Sequence, residues 1–281
     1  MQDYFIQRSV FSDKQFRTRY RMSYDVFNRI FADLCQGIVA IYSREYLRAP
    51  NAVDLRRLLA KADKGDFPGM IGSIDCMHWQ WKYCPSGWAG EYSGRKYFPT
   101  IILEVVASYD IWIWHAFFGV SGACNDLNVL AQSPLFDKLT GGHVPQVLYQ
   151  VNKIDYNLCY YLADGIYPKW TTFMKSIPRP TLEKYILFSK CQEGYRKDVE
   201  RCFGILQSRF GIVRGATRGW NKEDLRSIML TCVILHNMIV EDERPDDELE
   251  SDEENEDNMM PKKASVWERP IIENFEPIGR D

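Results

Sequence analysis

Three acidic side chains stand where acids are costly. Asp75 is embedded in Ile71-Gly72-Ser73-Ile74-Asp75-Cys76-Met77-His78-Trp79, Asp164 closes the run Tyr160-Tyr161-Leu162-Ala163-Asp164-Gly165, and Glu200 lies in Arg196-Lys197-Asp198-Val199-Glu200-Arg201-Cys202-Phe203-Gly204. A carboxylate in an apolar setting loses several kcal/mol of hydration, so each needs a proton, a cationic partner or a metal. Three carboxylates meeting at one point suit Mg2+ or Mn2+, which take oxygen ligands octahedrally and keep positions open for water and phosphate. Two such ions about 4 Å apart can activate an attacking water or 3′-hydroxyl and stabilise the leaving oxygen of an in-line displacement. Phosphodiester chemistry is therefore the expectation to test on the elements that carry these acids.

The chain ahead of Asp75 reads as helical. Residues 1 to 34 interleave Phe5, Phe11, Phe16, Tyr20, Tyr24, Phe27 and Phe31 with Arg8, Arg17, Arg19, Arg21 and Arg29, and Ser23 is a predicted N-cap. Packing the aromatic face on the body and solvating the basic face accounts for this pattern better than phosphate tracking. A second helical region is expected over residues 38 to 61, with Asn51 as a cap before Val53. From Asp66-Phe67-Pro68-Gly69 the pattern turns extended. A buried strand should end near Asp75, followed by Thr100 to Ser108 and Ile111 to Val120 as a hairpin turning at Tyr109-Asp110.

Further on, Gly119 to Asp126 has loop chemistry and Leu127 to Phe136 is helix-like, with Asp126 a candidate N-cap. Val147 to Val151 and Tyr156 to Ala163 read as strands, the second delivering Asp164 to a sheet end. A long helix over about Leu182 to Phe210 turns Tyr195, Val199, Cys202, Phe203, Leu206 and Phe210 inward and leaves Glu200 at the edge of that stripe, and a last helix covers about Lys222 to Val240. The order is acid on a first strand, hairpin, helix, acid at a later strand end, acid on a helix. That order matches an RNase H-like two-metal site, an α/β fold with a mixed sheet flanked by helices.

The same stretches carry a resemblance. Gly72-Ser73-Ile74-Asp75-Cys76-Met77-His78-Trp79, Ile113-Trp114-His115-Ala116-Phe117-Phe118-Gly119, Asn125-Asp126-Leu127-Asn128-Val129-Leu130, Tyr161-Leu162-Ala163-Asp164-Gly165-Ile166-Tyr167-Pro168, Asp198-Val199-Glu200-Arg201-Cys202-Phe203-Gly204 and Cys232 to Asp242 resemble the plant PIF/Harbinger transposases and the nucleases derived from them. The resemblance implies a nuclear DDE endonuclease acting on DNA with terminal inverted repeats or at a target site. It implies Asp75, Asp164 and Glu200 as the catalytic triad, Asp126 as a fourth metal-site acid, and a Myb-like partner that supplies sequence-specific DNA binding. A domesticated, catalytically silent nuclear protein, used as a chromatin or protein-interaction module, is the alternative. In this family a helix-turn-helix-like unit precedes the first Asp; here the passage from Phe31 to Tyr46 reads as a contracted version of it.

Charge divides the chain. Residues 1 to 240 carry 30 Lys and Arg against 22 Asp and Glu, residues 241 to 257 carry 1 against 12, and residues 258 to 281 balance at 4 against 4. A basic body suits a polyanionic partner, and an acidic block with almost no apolar residues is expected to be a disordered tail. The organisation expected is a helical region over 1–65, an RNase H-like nuclease domain over 66–242 and the tail over 243–281, with the oligomeric state left open. No run of about 18 uncharged apolar residues occurs, so no membrane is expected as a partner and the nucleus is the expected compartment. The eight cysteines contain no C-x-x-C pair, and Cys76 with His78 lacks the further ligands a zinc site needs. His115 and His236 are expected to be core residues. Trp79, Trp81, Trp88 and Trp112 are either buried or available to stack on bases.

Overall fold

The computed structural model describes residues 12–94, 97–141, 145–219 and 221–244; the acidic tail from 245 onward, residues 1–11 and His143 lie outside them. Ser12 and Gln15 cap each other at the start of α1 (Asp13–Tyr20), and Ser23 caps α2 (Tyr24–Tyr46) as the sequence predicts. The passage that reads as contracted lies inside α2, which is uninterrupted. Asn51 caps α3 (Ala52–Lys64) by accepting from the Val53 and Asp54 N–H groups. The single helical region expected over 38 to 61 is therefore two helices, separated by a non-helical passage at residues 47–51.

The strands are β1 (Met70–Gln80), then, after the short α4 (Ala89–Tyr92), β2 (Thr100–Ala107) and β3 (Ile113–Ser121). They form the expected antiparallel meander, with two corrections. β1 does not end near Asp75: the next five residues pair with β2, from Cys76 opposite Glu104 to Gln80 opposite Thr100. The hairpin is wider than a two-residue turn, because the Ser108 N–H reaches the Trp112 carbonyl and Ile111 adopts φ +62°.

Pro134 breaks the predicted helix over 127 to 136. α5 (Asp126–Leu130) ends first, and Ser133 caps α6 (Pro134–Thr140), which has Pro in its first turn. The strand expected over 156 to 163 is divided at Cys159. β4 (Gln146–Val151) and β5 (Ile154–Leu158) form a separate antiparallel pair, whereas the Tyr160 N–H turns to the Gly69 carbonyl and β6 (Tyr160–Leu162) runs parallel to β1. β7 (Phe173–Met174) lies beyond β6, so the main sheet is mixed, in the order β3-β2-β1-β6-β7. α7 (Glu183–Arg209), α8 (Gly211–Arg214) and α9 (Lys222–Asp242) complete the described chain, and no helix in it is long and apolar enough to cross a membrane.

Past the irregularity between Met70 and Gly72, period-two alternation sends the two faces of β1 to different partners. Met77 and Trp79, with Ile101, Leu103 and Val105 of β2, pack against Val199, Cys202 and Leu206 of α7 and Met229 and Cys232 of α9. Ile71, Ile74 and Val106 meet Leu130, Leu135 and Leu139 of α5 and α6 in a second cluster. Trp79, Trp81 and Trp112 are buried in these layers, and Trp88 is exposed. His236 is buried as expected, while His115 is not a simple core residue, since its Nε2 meets the Glu104 carboxylate and the Ser133 hydroxyl. Asn237 on α9 holds the edge of the sheet: its Oδ1 accepts from Ile113 N–H at 2.9 Å, and its Nδ2 donates to the carbonyls of Ile113 at 2.8 Å and Tyr46 at 2.7 Å.

Candidate active site

Asp75 belongs to the β1 face that looks toward α7. Its Oδ1 accepts from its neighbour Cys76 N–H at 2.8 Å, and its Oδ2 accepts from Arg196 Nη1 at 3.1 Å. The other guanidinium nitrogen of Arg196, Nη2, meets Glu200 Oε1 at 2.8 Å. One turn apart on α7, Arg196 and Glu200 share a face, so the helix brings Glu200 to Asp75 through the arginine between them. Ser73 fixes this approach two residues earlier by donating its hydroxyl to the Tyr195 carbonyl.

Of the other two acids, Asp164 follows β6 directly and Asp126 opens α5. In the parallel pair of β1 and β6, Ser73 is opposite Leu162; two residues beyond that pair on each strand stand Asp75 and Asp164. Asp164 Oδ1 accepts from the Ile166 N–H at 2.8 Å, which ties its carboxylate into its own turn. Gln192, four residues before Arg196 on α7, donates from Nε2 to the Ala163 and Met174 carbonyls at 3.1 Å each, clamping the peptide next to Asp164. Lys175 Nζ donates to the Tyr167 carbonyl at 2.7 Å and the Gly165 carbonyl at 3.4 Å, closing the same turn. Asp126 is not the cap of α5. Asn125 takes that role, accepting from the Asn128 N–H, and Asp126 is the first helical residue, where a carboxylate is favoured by the helix dipole.

Electrostatics link the four acids in series. Burial pushes the Asp75 carboxyl up to about 6; the Cys76 N–H and Arg196 oppose this, and the charges of Asp126 and Glu200 add to it. Burial also raises Asp126, the Asp164 charge adds to the rise, and a hydrogen bond with the Cys76 thiol counters it. Glu200 thus acts on Asp75, Asp75 feels Asp126, and Asp126 feels Asp164. Lys175 is lowered by burial and by Lys169, with Asp164 holding it up.

Behind this line, on the opposite face of β1, lies a polar layer that sequence reasoning missed. The Cys76 sulfur is 3.8 Å from the Tyr167 hydroxyl, and buried Glu104 stands opposite Cys76 on β2. Glu104 Oε1 accepts from the Ser133 hydroxyl at 2.5 Å. Burial drives both the Cys76 thiol and the Tyr167 phenol upward, so these two groups stay neutral beside the Asp126 carboxylate, which also feels the Glu104 charge. Gln192 and Arg196 were also missed, although their spacing with Glu200 at i, i+4, i+8 marks one polar stripe on a long helix.

Divalent metal is a match for this donor set in chemistry. The carboxylates are hard oxygen donors, and a cation, the Arg196 guanidinium, already stands between two of them. Among the described residues, no three His, Cys, Asp or Glu side chains are grouped closely enough to hold a metal ion as they stand. The residues that would hold one are Asp75 and Glu200 on one side and Asp126 and Asp164 on the other.

Comparison with known proteins adds a family. No curated protein and no solved structure matches the chain. Residues 1–35 match a domain of unknown function (DUF8418), and residues 44–247, which contain all four acids, match the family described as Plant transposon protein. The second match covers most of the chain, which therefore belongs to this Harbinger-like plant transposon protein family.

Proposed function

We propose that the protein is a metal-dependent DNA endonuclease of transposase type, with Asp75, Asp164 and Glu200 as its catalytic acids and Asp126 as an additional metal-site acid. The observation that carries this reading is the placement of Asp75 and Asp164 two residues past the Ser73–Leu162 pair on adjacent parallel strands, with α7 presenting Glu200 across Arg196 to the same face. The strand order β3-β2-β1-β6-β7, antiparallel through the first three strands and parallel thereafter, supports an RNase H-like reading of the sheet. Membership in a plant transposon family supports DNA as the substrate, and with it the nucleus as the compartment and a Myb-like protein as the partner that reads the DNA sequence.

Mg2+ or Mn2+ bound among these carboxylates would activate a water or 3′-hydroxyl and stabilise the leaving oxygen. The residues of the chain do the remainder. Gln192 and Lys175 hold the backbone on either side of Asp164, so its carboxylate is oriented before substrate arrives. The Cys76 N–H and Arg196 restrain the two oxygens of Asp75. Preorganisation of this kind matters because a carboxylate displaced by about 1 Å can lose two orders of magnitude in rate.

The test is Mg2+- or Mn2+-dependent nicking of DNA bearing terminal inverted repeats, with and without a Myb-like partner. Wild type should nick and Asp164→Asn should not; nicking that survives in Asp164→Asn rejects the reading. The silent-protein reading draws on the open spacing of the acids and expects no nicking by wild type under any of these conditions.

A further inference from the structure

Arg196 makes a contact that a helix-surface arginine has no need of. Its pair with Glu200 is an ordinary i,i+4 interaction on α7, worth a few tenths of a kcal/mol. Its second contact leaves the helix: Nη1 reaches Asp75 on β1, 121 residues earlier in the chain, and both of those side chains are about one-fifth exposed. The planar fork is thus split, one nitrogen to each of two carboxylates that the proposed chemistry assigns to metal. Asp126 and Asp164 add two further acids along the same line, and the guanidinium is the cation that stands against Asp75 and Glu200.

We propose that Arg196 is the resident counter-cation of this site, occupying the bridging position between Asp75 and Glu200, so that a divalent ion binds there by exchange with the guanidinium. This inference rests on the reading of the site as a metal centre. Distances supply the reason the two cations exclude each other. The guanidinium holds its two carboxylates at 3.1 and 2.8 Å, whereas a magnesium-sized ion draws each oxygen to about 2.0–2.1 Å. Ion binding therefore pulls Asp75 and Glu200 inward, into the space where Nη1 and Nη2 now lie. The spacing of Asp75 and Glu200 is the spacing set by an arginine, and it closes when the arginine leaves. The exchange also confers selectivity, because a monovalent ion offers no more charge than the guanidinium it would displace.

The experiment is a Mn2+ titration of the full chain, following free Mn2+ by electron paramagnetic resonance, for wild type, Arg196→Gln, Arg196→Lys and Asp75→Asn. Removing the guanidinium should tighten Mn2+ binding roughly tenfold, the size expected for losing one charge-assisted hydrogen bond as a competitor. Arg196→Lys keeps the charge and should stay within about threefold of wild type by the same reasoning. Unchanged or weaker binding in Arg196→Gln overturns the exchange. Equal binding by wild type and Asp75→Asn removes the metal site itself, and with it the nuclease reading. Binding by neither wild type nor Arg196→Gln rejects both.

A second measurement covers an Arg196→Gln chain that fails to fold. In 15N-labelled wild type, Mg2+ should shift the Arg196 guanidinium resonance and speed its proton exchange, the signal being identified by its loss in Arg196→Lys. A resonance that Mg2+ leaves in place overturns the proposal.

Discussion

Replacing Asp75 with Asn should make the metal-free protein more stable while removing its proposed activity. Asp75 is held at about 6 against an ordinary 3.8 because burial disfavours its charged form. A group whose proton affinity rises on folding contributes stability below its unfolded value, and that stability drains away as pH climbs through the folded value. For Asp75 the window runs from about pH 4 to pH 6, and at pH 8 the ionised carboxylate is a net burden. At 1.36 kcal/mol per pH unit, the interval from 3.8 to about 6 corresponds to about 3 kcal/mol. The side chain is 20% exposed, and solvent screening there takes back about 1 kcal/mol. Asn keeps an oxygen to accept from the Cys76 N–H. The net expectation for Asp75→Asn at pH 8 in a chelator is a gain of about 2 kcal/mol, or roughly 4–8 °C in Tm for a domain of this size. At pH 4 the difference should vanish, since Asp75 is then protonated in the folded chain. Thermal melts of both proteins from pH 4 to pH 8 measure this directly. An Asn variant that is less stable at pH 8, or a difference that stays flat across the range, would refute the account of Asp75 as a buried, electrostatically crowded acid.

Other expectations concern the scaffold and the tail. Asn237→Leu should cost roughly 2–4 kcal/mol in chemical denaturation, because it strips three hydrogen bonds from buried backbone groups of Ile113 and Tyr46; a loss below about 1 kcal/mol would mean water replaces them. Gly69→Ala should destabilise by about 1–2 kcal/mol, since Gly69 has φ +88° and a new methyl would meet the Tyr149 ring where β1 begins; wild-type stability would place that ring on a movable hairpin. Deleting residues 245–281, which leaves the Tyr46–Glu241 and Arg209–Glu243 contacts intact, should tighten DNA binding at low salt by about tenfold and leave it unchanged at high salt. Equal affinity at low salt would show that the tail does not compete with DNA.

The first three strands of the sheet were legible because they are long and largely apolar. Thr100 to Ala107 is buried at every position, and its β-branched run bounded by turn residues marks a strand without knowledge of neighbours. The caps at Ser23 and Asn51 were legible for the same local reason. Boundaries set by distant partners were not. β1 runs past Asp75 because β2 supplies a partner for each residue to Gln80, and the strand around Cys159 divides because Tyr160 finds Gly69, ninety-one residues away in sequence. Neither partner is visible in the local pattern.

The site divides along the same line. A lone acid in an apolar string announces itself, since burying it needs a compensating charge, and so Asp75 and Asp164 could be picked out one by one, whereas Glu200 lies in a charged segment with its side chain exposed. Their compensation could not be read. Arg196 sits in a charged segment where an arginine looks like ordinary solvated helix surface, and Gln192 looks equally plain; only the fold turns that stripe of α7 toward β1 and the end of β6. The acid is chosen by its own surroundings, whereas its counter-charge is chosen by topology. In a cluster built from carboxylates, the cation paired with them is therefore the component that sequence reasoning is least equipped to find. It is also the one whose removal separates a metal site awaiting its ion from a structural ion pair.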